Sequence, residues 1–384
     1  MIRIGVDVSV LLAPQAGIAR YVLNMLSSML KLASPDVSLF LYASHPVSVP
    51  LPGGRWQLRT DSGIRGRIRS IWLQEVCPRW ISADRVQVFW GQHYVPLRLR
   101  RTCLRLVSLH DLTGVVCPNT MPLSSRLISR VLLRRSVRAA DMVLADSRAT
   151  ARLADKLLGV EANKIVIVYP GLADGIGPVA RDAATMHVAE RFGITAGYIL
   201  AVSTIEPRKD YEVLLRAVEN VKDAPLVVIA GSEGWRCQST MRQIAALENR
   251  GRVRYIGRVD DRDLSALYSA ARFMIYPSVY EGFGLPILEA MACGCPVLCS
   301  WSSSLPEVGG AAAHYFRAHD PHDLAAKMRE MIADQRARDQ MASLGRHQAE
   351  RFSFDLAAQQ LLGLTRALLG PMERGAECAY HLQA

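Results

Sequence analysis

Tyr280-Glu281-Gly282-Phe283-Gly284-Leu285-Pro286-Ile287-Leu288-Glu289-Ala290-Met291-Ala292-Cys293-Gly294-Cys295-Pro296-Val297 reads as turn, helix and the start of a strand. The apolar run Phe273 to Tyr276 just before it ends a buried strand, and a tight Gly-x-Gly turn follows. Pro286 sits where a first helical residue is favoured, and Gly294 closes the helix before a second strand, Pro296 to Leu298. Glu281 therefore falls in the loop after a strand, and Glu289 lies one turn into the helix. The N–H groups of Gly284, Leu285 and Ile287 are expected to stand open at that helix N-terminus, a seat for a phosphate. Gly282, Phe283, Gly284 and Leu285 become candidate ligand contacts. Two acceptor side chains beside an anion seat suit a ligand rich in hydroxyls and phosphates, such as a nucleotide sugar.

The pattern around this unit is repetitive. In the first half, apolar runs at Ile2–Val8, Val37–Tyr42, Val86–Trp90, Leu104–Leu109, Met142–Ala145 and Ile165–Tyr169 predict strands. Helical periodicity covers Gly17–Leu32, Ser125–Ala139 and Arg148–Leu158. Such alternation predicts a parallel sheet with helices on both faces. Pro170-Gly171 ends the series, and the mixed segment 173–195 reads as an interdomain connection. The second half repeats the plan. Strands are expected at Tyr198–Val202, Leu226–Ala230 and Arg254–Ile256, with helices at Asp210–Val221, Ser239–Asn249 and Asp263–Ala271. Helices Pro321–Asp334 and Phe354–Leu369 finish the chain. The expected domains are 1–172, 196–352 and a terminal segment 353–384.

The eighteen-residue stretch resembles the Glu-x7-Glu signature of retaining glycosyltransferases of family 4. That resemblance implies an α/β protein of two Rossmann-like domains whose parallel sheets face a central cleft, the GT-B type. It also implies a last helix that crosses back to the N-terminal domain. Ser203-Thr204-Ile205-Glu206-Pro207-Arg208-Lys209-Asp210 follows the first strand of the second domain and resembles the family's Glu-Pro-Arg-Lys-Asn element, with Asp210 in place of Asn. Two adjacent cations there would neutralise a diphosphate and the charge growing on it as the sugar bond breaks. Asp210 also reads as a helix N-cap. Leu109-His110-Asp111-Leu112 resembles the family's His-Asp-Leu, which makes His110 a group on the transferred sugar. Pro14-Gln15-Ala16-Gly17-Ile18-Ala19-Arg20-Tyr21 links the first strand to the first helix, and Gly17 would allow close approach of a ligand. Ala19 stands where family members often carry a second Gly, which weakens that contact. Gly231 and Gly234 read as turn glycines near the donor, and Ser303, Ser304 and Glu307 as groups shaping its wall.

The resemblance thus implies Glu289 on a ribose, Arg208 and Lys209 on a diphosphate, and Glu281 with His110 on the sugar. An acceptor hydroxyl would attack on the face that the phosphate leaves. No Asp-x-Asp closes a strand, and Asp260-Asp261 reads as helix caps, so neither metal nor cofactor is expected beyond the donor itself. The motif context looks most like bacterial mannosyl- or rhamnosyltransferases that use GDP-sugars to build lipopolysaccharide, O-antigen or exopolysaccharide on lipid-linked or oligosaccharide acceptors. A UDP-hexose enzyme is the alternative. A sugar-nucleotide epimerase on the same fold would need a second acid near His110, and none is evident.

Charge is lopsided. Residues 1–150 hold 20 Lys and Arg against 8 Asp and Glu, while the remainder holds 26 against 27. Clusters at Arg65, Arg67 and Arg69, at Arg98, Arg100 and Arg101, and at Arg134, Arg135 and Arg138 suggest an anionic inner-membrane surface as partner. Nucleic acid is not expected, because the arginines lack interleaved aromatic residues and no helix-turn-helix appears. Charges interrupt the run Ile2 to Leu12, which reads as a first strand, so no signal peptide is expected, and no apolar run reaches eighteen residues. A cytoplasmic, membrane-peripheral protein is expected. The eight scattered cysteines complete no zinc pattern and read as buried free thiols.

Overall fold

The computed structural model describes residues 1–12, 17–47, 49–61, 63, 68–100, 102–120 and 123–370. The described residues form two compact units. One comprises Met1–Val115, Pro122–Ala173 and Ser353–Ala384, the other Val116–Met121 and Asp174–Phe352. Each is a parallel sheet covered by helices, the α/β class that the alternating pattern predicts.

In the first unit the strands are β1 (Ile2–Asp7), β2 (Val37–Ala43), β3 (Trp56–Thr60), β4 (Val88–Gln92), β5 (Leu104–Leu109), β6 (Met142–Ala145) and β7 (Ile165–Ile167). Their order across the sheet is β3-β2-β1-β4-β5-β6-β7, and every pairing is parallel. The second unit has β8 (Ile199–Val202), β9 (Val227–Ala230), β10 (Val253–Gly257), β11 (Phe273–Tyr276), β12 (Val297–Ser300) and β13 (Ala313–Phe316). Its order is β10-β9-β8-β11-β12-β13, again all parallel. This is the doubly wound Rossmann arrangement. The order reverses between β1 and β4 in one sheet and between β8 and β11 in the other, and ligands of such sheets sit at the carboxyl ends beside that reversal.

The helix Phe354–Leu369 lies where its apolar spacing predicts. Its buried face, Phe354, Ala357, Ala358, Leu361, Leu362 and Leu364, joins the core of the first unit. It packs there against Tyr21, Val22, Met25, Leu26 and Met29 of the helix Gly17–Leu32. Each large aliphatic side chain so buried contributes about 1.5–3 kcal/mol. Ser353 caps the helix by accepting the Asp355 N–H at 3.1 Å. Gly171 makes the join possible, since a Cβ there would stand 2.0 Å from the Phe354 nitrogen.

Several expectations are corrected. The segment 173–195 is more than a connection. It holds the helix Arg181–Phe192, which packs on the helix Asp261–Ala270 inside the second unit. Its weak apolar stripe, with only Ala184 and Val188 buried, explains why periodicity missed it. The edge strand β3 escaped for a similar reason, because its residues are half-exposed or exposed and carry no apolar run. The helix expected over Arg148–Leu158 is α-helical only to Leu153 and widens to a π-turn over Ala154–Leu158, closed by Gly159 at φ 69°. No disulfide joins the described cysteines, and all but Cys117 are buried. Pro14, Gln15, Ala16, Arg65, Arg67, Arg101 and the tail after Gly370 lie outside the described residues.

Candidate active site

The reversal point of the second sheet brings together residues more than seventy positions apart. Leaving β8, the chain makes a 3₁₀ turn over Pro207–Lys209. Leaving the neighbouring β11, it passes Ser278 and reaches Glu281. The Glu281 carboxylate then takes Arg208 Nη1 on Oε2 at 2.7 Å and Lys209 Nζ on Oε1 at 2.5 Å. Ser278 Oγ donates to the same Oε1 at 2.6 Å, and the Tyr276 hydroxyl does so at 2.9 Å. Arg208 also donates through Nε and Nη2 to Glu206 Oε1, at 3.1 and 2.7 Å, and through Nη1 to the Tyr280 carbonyl at 2.7 Å. The expected contact of both cations with a diphosphate therefore starts from cations that already have carboxylate partners.

Burial alone would push the Glu281 carboxyl up. Lys209 and Arg208, with the Lys209 and Ser278 hydrogen bonds, outweigh it and hold the carboxyl at about 2. Burial drives the Tyr276 hydroxyl far above its usual range, with the Glu281 charge adding to the shift, so it remains a neutral donor. The site is thus a fixed anion between two fixed cations.

The loops around it are tied backbone to side chain. The Glu281 N–H donates to Ser303 Oγ at 2.8 Å, while Ser304 Oγ donates to the Glu281 and Phe283 carbonyls at 3.0 and 2.7 Å. Ser303 and Ser304, expected to shape a wall, anchor the Glu281 loop. The loops after β8 and β9 pair through Ile205 N–H to the Ser232 carbonyl and Gly234 N–H to the Ile205 carbonyl. Only glycine fits at Gly231, where φ is 148° and a Cβ would stand 1.9 Å from the Ser203 oxygen.

The helix Leu285–Ala292 starts from Gly284 at φ 112°, with Pro286 in its first turn. The anion seat is smaller than expected. Ile287 N–H donates to the Gly284 carbonyl at 3.0 Å, because the first turn closes tightly. The N–H groups of Gly284 and Leu285 donate to no acceptor among the described residues. Glu289 is buried on this helix and accepts the Tyr268 hydroxyl at 3.2 Å. Asp210 is not a side-chain cap. It adopts a left-handed conformation (φ 46°), and its carboxylate lies 2.8 Å from His319 Nδ1.

In the first unit, His110 is buried and has a partner on each ring nitrogen. Nδ1 lies 2.8 Å from Asp146 Oδ2, and Nε2 lies 2.9 Å from Gln92 Oε1. An acid thus stands beside His110, where the sequence showed none, because β5 and β6 are neighbours in the sheet. Tyr21 meets the ring edge-on at 4.7 Å. Burial raises the Asp146 carboxyl, and the neighbouring His110 opposes that. A sugar hydroxyl can reach a ring nitrogen only by replacing one of these partners. Gly17 heads its helix exposed, with no atom of the described residues within 4 Å of where a Cβ would lie. Arg69, expected in a docking cluster, instead donates to the fully buried Asp7 at 2.7 Å, since that carboxylate needs a partner. Arg98, Arg100, Arg135 and Arg138 are exposed. No helix among the described residues is long and apolar enough to cross a membrane. Sequence reasoning quoted Glu206 in its motif without giving it a role, and missed Tyr276, Ser278, Gln92 and Asp146. Those four lie at or just beyond strand ends, and that position was the available signal.

The architecture is that of the two-domain glycosyltransferases. Sucrose-phosphate synthase from Thermosynechococcus elongatus matches it with a TM-score of 0.78, over 96% of this chain and 99% of that one, at 20% identity. A family model described as glycosyl transferases group 1 matches residues 185–348, and one described as glycosyltransferase family 4 matches residues 16–174. The chain is 32% identical over 281 residues to the O-antigen chain mannosyltransferase B of Escherichia coli, covering 72% of each. The chain belongs to glycosyltransferase family 4. It is also 27% identical to the serotype-specific mannosyltransferase WbdA of Escherichia coli over 62% of its own length, and spans 30% of that longer protein.

Proposed function

We propose that this glycosyltransferase moves a mannose or rhamnose type hexose from a GDP-linked donor to a lipid-linked saccharide, with retention and without a metal. The observation that carries the reading is the cation pair Arg208–Lys209, fixed by Glu281 at the reversal point of the second sheet. Similarity to O-antigen mannosyltransferases favours mannose and a polysaccharide acceptor.

In this mechanism the bond between the sugar C1 and the phosphate oxygen breaks, and its electron pair stays on the departing diphosphate. Arg208, Lys209 and the Gly284 and Leu285 N–H groups stabilise that charge. The acceptor hydroxyl oxygen bonds to C1 on the same face, and its proton passes to the leaving phosphate oxygen. Glu289 holds the ribose and Glu281 a sugar hydroxyl. His110 serves the sugar by likeness to the family, exchanging its Gln92 partner for a hydroxyl.

Incubating the purified protein with GDP-mannose, GDP-rhamnose or UDP-hexoses and following nucleoside diphosphate release tests this. GDP-mannose turnover that survives EDTA is expected. Turnover of a UDP-hexose alone would replace the donor assignment, and loss on chelation restored by Mg²⁺ or Mn²⁺ would overturn the metal-free mechanism.

The exposed arginines of the first unit are proposed to meet an anionic membrane surface, each contributing about 1 kcal/mol at low salt. Cosedimentation with anionic vesicles should fall in 1 M salt, where the Debye length is roughly 3 Å, and in the double variant Arg135→Gln, Arg138→Gln. Equal sedimentation with neutral and anionic vesicles would sink the idea.

A further inference from the structure

We infer that Tyr276 is a positioning residue of the transfer reaction, aiming the Lys209 ammonium at the departing diphosphate. The inference rests on the donor-site reading above and deepens it. Tyr276 is the last residue of β11, fully buried, and its hydroxyl lies between the two charges of the site. It accepts from Lys209 Nζ at 2.8 Å and donates to Glu281 Oε1 at 2.9 Å. Its ring centroid lies 5.1 Å from the same Nζ, which stands at the hydroxyl edge of the ring.

An ammonium has three N–H donors on a rotating head. Here one goes to Glu281 and one to Tyr276, and these two bonds fix the rotation. The third N–H has no acceptor among the described residues, so its direction is set by the other two. A single partner would leave the head free to turn about that bond. The second partner therefore converts a general positive charge into an oriented donor. The same hydroxyl helps keep Glu281 anionic, because a donor to a carboxylate favours its charged form.

Orientation matters most where charge develops, which is on the leaving phosphate oxygen in the transition state. Tyr276→Phe removes the hydroxyl and keeps the ring and its packing. The expected result is a fall in kcat of about tenfold, the scale of one hydrogen bond to a charged group, with donor KM changed less than threefold. The acid limb of the kcat profile should move up in pH, because Glu281 has lost a donor. The thermal midpoint should stay within a few degrees of wild type, whereas a purely structural role would lower the midpoint and leave kcat and the pH profile alone. Lys209→Met is run beside it. Wild-type kcat and pH profile in Tyr276→Phe, with Lys209→Met crippled, would overturn the positioning role alone. Wild-type turnover in Lys209→Met would overturn the donor-site reading, and the positioning role with it.

Discussion

Replacing Lys209 by methionine should lower kcat/KM by about 10² or more, and Arg208→Ala should do the same, the scale on which one charge-stabilising donor acts. The argument is geometric. Lys209 is buried in the 3₁₀ turn that follows β8, with two of its three donors held by Glu281 and Tyr276. Methionine keeps the apolar stem and removes the ammonium, with its charge and its two hydrogen bonds. Glu281 retains Arg208, Ser278 and Tyr276 as donors in that variant, so the fold should survive. Steady-state kinetics with the donor varied give the check, and a kcat/KM within threefold of wild type would remove Lys209 from the chemistry.

Glu281→Gln carries the second large effect, on stability as well as rate. Its carboxylate is the shared partner of the buried Lys209 and the half-buried Arg208, and removing one member of such a group typically costs about 3–5 kcal/mol. For a unit of this size that corresponds to a fall in Tm of roughly 6–20 °C, and kcat should fall because Lys209 and Arg208 lose their common anchor. The pH dependence has a definite sign. Glu281 is held at about 2, below its usual 4.5, so its contribution is present above 4.5 and is lost as pH falls towards 2. The difference in Tm between wild type and Glu281→Gln should therefore shrink between pH 5 and pH 2. A difference that stays constant over that range, or no difference at pH 7, would contradict the buried ion-pair account.

Much of the molecule was legible in advance because it is locally encoded. The helices Gly17–Leu32 and Phe354–Leu369 and the strands Leu104–Leu109, Met142–Ala145 and Phe273–Tyr276 fall where their apolar periods predict. Their buried faces are wide, and period 3.6 or an unbroken apolar run follows directly from that. The helix Arg181–Phe192 and the strand Trp56–Thr60 were not legible, because each buries too little to impose a pattern. Asp210 shows a different failure. Its residue type suits an N-cap, yet the turn after Lys209 needs a left-handed residue there, and the backbone requirement wins over the side-chain preference.

The sequence by itself determined the class of fold, the Glu-x7-Glu turn and helix, and the adjacency of Arg208 and Lys209, all of which depend on short-range spacing. Only the tertiary structure decided who partners whom. Glu281 meets Lys209 across 72 positions because β8 and β11 lie side by side, and His110 meets Asp146 across 36 because β5 lies beside β6. Arg69 turns inward to Asp7 across 62 positions instead of outward to solvent. Strand order is set by how two sheets of mostly apolar strands bury both faces at once, a condition on the whole chain. No local window contains it, and every charge at a strand end takes its partner from that order.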